Sequence, residues 1–414
     1  MTPMLPSFGT LPLPAPAWLL NALLLLTFIV HLLFMNLMAG GNLLAAIFAF
    51  KGKPRHLDAA RGLVRIMPYA TAFTIAFGVA PLLLIQVLYG PLFYTSAILI
   101  GTPFLLSIPV IMLAYALMYL AAYRWDRLKR SRPWLPLLNF LLLGYVGFIM
   151  TSLNTLMLDP DGFKDKYLAH PGGWQLNMAE PTLVPRFLHM MVGAVAVAGL
   201  YVAIRGARRL RLEPEQGRWQ YRSGATWFAG ATLVNMAVGA WWLLALPKEQ
   251  IMTLMGGNLT ASISFGVALL AALLALCGAL LGINSVKPGP YLWGTAAALV
   301  AVFAGMAVMR DAVRDAALRP DYVVRALPVG SQWGAIILFA LLLAAGAWVC
   351  GWLLKQQKIA GAERQPRTPA PGLSDSGIRR LGPMDSRTGM PSVTDSGAHR
   401  LPPSSSGPHR LVDE

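Results

Sequence analysis

The chain has 414 residues, 56% hydrophobic and only 13% charged, with a mean hydropathy of +0.56. A soluble protein of this length keeps about a quarter of its residues charged, so the composition excludes a soluble globular fold and points to an integral membrane protein. The formal net charge is +16, yet no basic stripe is interleaved with exposed aromatics, which excludes nucleic acid as the partner.

Residues 1–17 form a Pro-rich, uncharged lead without the cationic region of a cleavable signal peptide, so the first span is expected to be retained. Nine apolar segments follow, at about 18–50, 68–89, 93–123, 134–158, 184–206, 223–247, 259–283, 290–309 and 333–354. Each is near or above the roughly 20 residues a bilayer requires. The expected fold is an all-α polytopic membrane bundle of nine transmembrane helices over residues 18–354.

The connections alternate in charge. Lys51, Lys53, Arg55, Arg61 and Arg65 follow the first span; Arg124, Arg127, Lys129, Arg130 and Arg132 follow the third; Arg205, Arg208, Arg209, Arg211, Arg218 and Arg222 follow the fifth. The remaining connections are uncharged, slightly acidic or balanced. The positive-inside tendency puts the basic connections in the cytoplasm, the N-terminus outside and the C-terminus inside. An odd number of crossings satisfies every loop.

His31 lies in the first span and His189 near the outer end of the fifth, within PRFLHMMVGAVAVAGLYVAIRG. Hydrocarbon offers an imidazole no water, and an unpaired polar group there costs several kcal/mol. Either a metal, which in an apolar helix bundle usually means haem iron, or a neighbouring carbonyl or wet crevice must satisfy it. His189 lies about 5–8 Å below the outer surface, and His31 roughly 20 Å along its helix. Ala39, Gly40 and Gly41 suit close approach of a helix or of a flat macrocycle, ordinary helix packing being preferred.

In the outer connection 159–183, His170, Trp174 and Glu180 can border a ligand site, though such residues more often cap and solubilise a loop. Asp311, Arg314 and Asp315 are spaced for helix-face ion pairs and read as structural. Cys277 and Cys350 lie in apolar spans and no C-x-x-C-H occurs, which argues against disulfides, thiolate zinc and covalently attached haem. From 355 to 414 Pro, Ser, Gly and Arg rise, predicting a disordered cytoplasmic tail. It repeats Ser376-Gly377-Ile378-Arg379-Arg380-Leu381 at Ser396–Leu401 and Ser406–Leu411, which sets His399 and His409 apart from the membrane histidines.

Together these features resemble subunit I of the cytochrome bd quinol oxidases. The resemblance rests on Arg186-Phe187-Leu188-His189, His31, Phe77-Gly78-Val79-Ala80, Trp125-Asp126-Arg127-Leu128, and Asn154 with Met157 and Pro160, in consistent order over about 18–210. It implies a multi-pass protein of the bacterial inner membrane in which His189 and His31 ligate the iron of one or two b haems. It also implies quinol or quinone as substrate and other respiratory-complex subunits as partners. Arg186 would pair with a haem propionate or the quinone headgroup; Gln86, Asn154 and Glu180 are further quinone candidates.

The departures fall on the oxygen chemistry. Where the family carries intramembrane glutamates this chain has Gln86, Ile100, Ile108 and Phe303, and its external quinol loop shrinks to about Lys248–Asn258. The run after the eighth span becomes Met309-Arg310-Asp311-Ala312-Val313. The position expected to supply a methionine opposite His189 falls near Ser262, with Met252 and Met255 upstream. The expected function is therefore a haem b electron-transfer subunit between membrane quinol and an external redox protein, such as a multihaem cytochrome c. The alternatives are a bd-type quinol:oxygen oxidoreductase with altered ligands, and a non-redox transporter or scaffold subunit, for which Pro81, Pro103 and Pro109 supply kinks.

Overall fold

Inside lipid a backbone bonds to itself, so apolar runs of this length close into helices. The computed structural model describes residues 12–319 and 322–363, and the described residues form twelve α-helices and one isolated β-bridge. They are α1 (Ala17–Lys51), α2 (Pro54–Leu88), α3 (Gly90–Leu99), α4 (Gly101–Leu128), α5 (Trp134–Leu156), α6 (Phe163–Ala169), α7 (Leu183–Arg209), α8 (Pro214–Leu244), α9 (Lys248–Met252), α10 (Leu259–Ile283), α11 (Gly289–Leu318) and α12 (Trp333–Glu363). Nine of these are long and apolar enough to cross a membrane: all but the short α3, α6 and α9. The polytopic helix bundle expected from the sequence is the observed architecture.

Besides the start of the sixth span, at Pro214 rather than near 223, four boundaries differ from expectation. The second helix starts at Pro54 rather than near 68, because a proline in the first turn gives up no hydrogen bond. The eighth runs to Leu318 rather than ending near 309, so Arg310, Asp311, Arg314 and Asp315 belong to the helix instead of following it. The ninth continues to Glu363, so residues 355–363 of the expected tail are helical; residues 364–414, with the repeats and the rest of that tail, lie outside the described residues, as do 1–11.

The fourth difference is a break. The expected third span divides at Ile100 into α3 and α4, and the outer connection closes over the break. Thr102 N–H donates to Gly173 O at 3.1 Å, and Gln175 N–H to Leu99 O at 3.0 Å. Gly173 has φ +70°, and a Cβ there would lie 3.3 Å from Gly101 N and Ile98 O, so only glycine lets the loop sit this close. The loop thereby replaces the helical partners that the break removes.

Helices in lipid gain little from apolar burial against one another, so contact depends on small residues that admit backbone approach. The most extensive packing is α7 on α8. A Cβ on Gly224 would lie 2.3 Å from Ala203 N, and one on Gly206 2.3 Å from Tyr221 N. The same holds where α1 crosses α7: a Cβ on Gly40 would lie 1.9 Å from Ala194 O. Gly40 thus admits a helix rather than a macrocycle.

The three basic connections share one face. Arg209 pairs with Asp58 and Glu213, Gln216 Nε2 donates to Arg55 O at 3.2 Å, and Arg61 meets Asp126 at 2.5 Å. At the other end of the bundle Leu13 N–H donates to Pro328 O at 2.8 Å, and Gly330 N–H to Leu13 O at 3.0 Å, so the described end of the lead and the segment before α12 lie on one side. Burial pushes the Tyr322 phenol up to about 12, which keeps it protonated as the donor to Leu88 O at 2.8 Å. The first of two packing units ends at Phe339; the second begins at Ala340 and contains, among the described residues, the remaining length of α12.

Candidate functional site

His31 and His189 sit in matching settings on different helices. His31 on α1 faces α2, where its Nδ1 lies 3.0 Å from Thr74 O. His189, on α7 one turn inward from Arg186, faces α8, where its Nδ1 lies 3.2 Å from Asn235 O. A carbonyl only accepts, so in the neutral ring Nδ1 carries the proton and Nε2 keeps its lone pair. In both cases a glycine four residues beyond the carbonyl makes the room: a Cβ on Gly78 would lie 2.8 Å from the His31 ring, and one on Gly239 3.1 Å from the His189 ring. The carbonyl alternative raised from sequence is therefore realised at one nitrogen of each imidazole, and the other is left available.

A buried charge cluster lies between these settings. Arg186, Arg310 and Arg314 line a cavity of about 20 Å³ with Asn154, Leu158 and Trp242. That is room for about one water molecule. Arg310 Nη2 donates to Asn154 Oδ1 at 2.8 Å, and the Arg310 guanidinium lies 4.8 Å over the Phe28 ring. Phe28 in turn stacks 6.5 Å from His31. The Arg186 guanidinium lies 5.8 Å from the Trp242 ring centroid, and Trp242 follows Gly239 by three residues on α8.

Charge in this cluster is unbalanced. Arg314 pairs with Asp311, which also accepts from Asn21 Nδ2 at 2.7 Å, and Tyr89 Oη donates to Asp315 at 3.3 Å. Arg186 and Arg310 form no salt bridge among the described residues, and the buried Arg186 Nε, Arg314 Nε and Trp242 Nε1 have no hydrogen-bond acceptor. Buried guanidinium groups in this state favour an anion or a carbonyl oxygen.

The structure brings Asn154 and Arg186 to one cavity and adds Arg310, to which the sequence reading gave no role, and Arg314, which keeps the ion pair with Asp311 that its spacing predicted. The signal was the second arginine, Arg310, which has no carboxylate three or four residues away on its helix. Gln86 stands apart, accepting from Tyr94 Oη at 3.2 Å. Glu180 accepts from both Thr182 N–H at 3.2 Å and Thr182 Oγ1 at 2.7 Å, a turn at the start of α7. His170 ends α6 at the surface and Trp174 is exposed. Ser262 bonds within the 253–262 turn, accepting from Gly256 N–H at 2.9 Å, while Met252 and Met255 are exposed.

No group of three or more His, Cys, Asp or Glu able to hold a bare metal ion occurs among the described residues. Each imidazole is thus a solitary donor with an oriented Nε2, a donor set that fits a metal whose other ligands come from a macrocycle.

No family model matches the sequence, and no curated protein matches it. Among solved structures, a chain of the bd oxidase from Geobacillus thermodenitrificans is similar in fold, with a TM-score of 0.67 at 16% identity. The match covers 86% of this chain and 100% of that one.

Proposed function

We propose that this chain is a haem b electron-transfer subunit of a respiratory membrane complex, exchanging electrons between membrane quinol or quinone and an external redox protein such as a multihaem cytochrome c. The observation that carries the proposal is the repeated setting of His31 and His189: Nδ1–H on a carbonyl of the facing helix, a glycine notch beneath the ring, and Nε2 left as a lone-pair donor. Bound haem b supplies a one-electron iron couple.

The chain's own residues do the rest. The carbonyls of Thr74 and Asn235 fix the tautomer, hold each ring plane and raise the basicity of Nε2. Arg186 and Arg310 offer buried positive charge on the outer side of both imidazoles, where a propionate or a quinone carbonyl would meet them. Asn154 orients Arg310. The fold shared with a bd oxidase supports the assignment to a respiratory membrane oxidoreductase.

Electron transfer is favoured over oxygen reduction because the positions where the resemblance calls for glutamate carry no carboxylate, and the two carboxylates of α11 are engaged, Asp311 by Arg314 and Asn21 and Asp315 by Tyr89. Ile108 is 59% exposed on α4, and Ile100 is fully buried at the break before it. Proton delivery through a low-dielectric interior normally runs through carboxylates.

The test is the reduced-minus-oxidised spectrum of purified protein. His189→Ala and His31→Ala are each expected to remove a Soret and α-band component, while Arg186→Leu retains the bands and shifts the midpoint potential. Unchanged bands in both histidine variants would overturn the assignment.

A further inference from the structure

On the basic face, the inner ends of α1, α2 and α8 enclose a groove of about 720 Å³. Its charged end carries Lys51, Arg218 and Arg222 against the single carboxylate Glu215. Its other end, roughly 18 Å along α8 at 1.5 Å per residue, is walled by Trp227. Between them His56 is 8% exposed and lines the groove, yet its buried Nδ1 has no hydrogen-bond partner. The ring is held edge-on to Trp219 at 4.7 Å, and Arg55 covers the same indole at 5.3 Å.

The groove is amphipathic along its length. Lys51 and Arg218 sit where the helices leave the apolar span, and Trp219, Arg222 and then Trp227 follow along α8 toward it, so the groove runs from a cationic end to one walled by an indole, the order in which a phospholipid presents its phosphate and its acyl chains. A soluble phosphate would need the charged end alone and leave the aromatic end without a purpose. We propose that this groove is a binding site for an anionic membrane phospholipid, with its phosphate held by Lys51, Arg218 and Arg222. Three cations against one carboxylate leave two positive charges, enough for one or two phosphodiesters. The site lies on the basic face, away from the two intramembrane histidines, and does not depend on haem.

The full chain, purified in detergent and stripped of lipid, is titrated with phosphatidylglycerol, with phosphatidylcholine and with inorganic phosphate. Binding is read by native mass spectrometry and thermal shift. Phosphatidylglycerol is expected to bind and raise the melting temperature, while phosphatidylcholine and phosphate do neither. Lys51→Gln and Arg218→Gln, at exposed side chains, are expected to weaken that binding about fivefold each. Equal binding of phosphatidylcholine would overturn the site; equal protection by inorganic phosphate would make it a free-anion site and overturn the lipid assignment. If the variants fail to fold, the three ligands on the unaltered chain still decide the question.

Discussion

At the residue scale, two glycines govern two histidines. Gly78 and Gly239 have no chemistry of their own, but each lets a ring approach a backbone carbonyl on the facing helix. Gly78→Ala places a methyl 2.8 Å from the His31 ring and is expected to weaken haem binding at that site about 10- to 100-fold, the usual effect of losing a partner behind a metal ligand. Gly266→Ala, where an added methyl meets nothing within 4 Å, is the control and leaves haem content unchanged. Haem titration of both variants makes the comparison; equal retention would show that the notch does not position His31. His31 and His189 were legible in the sequence because an imidazole stands out in an apolar span. Their glycine notches were not, because each lies on another helix, and no spacing within one chain segment records a contact across two. Arg310 was missed for a related reason: i, i+3 spacing gave Arg314 its pairing with Asp311, which the structure contains, but says nothing of the neighbouring helices that bury Arg310 against Phe28 and Asn154.

At the element scale, apolar length was sufficient to locate nine spans and insufficient to locate their ends. Hydropathy runs unbroken through Leu99, Ile100 and Gly101, so the division of α3 from α4 left no trace in it. The division depends on the outer connection, whose Gly173 and Gln175 take up the released backbone groups. Likewise α2 extends through a basic stretch that reads as loop, because charged residues are good helix formers once outside lipid. The α7 and α8 crossing is the most extensive contact in the bundle. Gly224→Ala drives a Cβ to 2.3 Å from a backbone nitrogen, which no side-chain rotation relieves. It is expected to destabilise the protein by about 1–3 kcal/mol, and Gly224→Val by more. Thermal unfolding in detergent measures this; an unchanged midpoint for Gly224→Val would mean that the helices are not in backbone contact.

At the scale of the whole molecule, charge divides the protein into two faces. The three arginine-rich connections are joined by ion pairs on one side, and the described end of the lead and the segment before α12 are joined by backbone hydrogen bonds. The positive-inside tendency assigns the first face to the cytoplasm. A periplasmic reporter fused at residue 170 is therefore expected to be active, and one fused at residue 129 silent; the opposite pattern would invert the electron path. This division was legible from loop composition alone, since orientation follows from the count of Lys and Arg and not from tertiary contacts. The cofactor reading draws on all three scales and meets its most direct test in a pyridine haemochrome assay on the purified chain produced with ample haem. One or two b haems per polypeptide is the predicted result; a colourless protein would contradict the account and leave only the helix bundle.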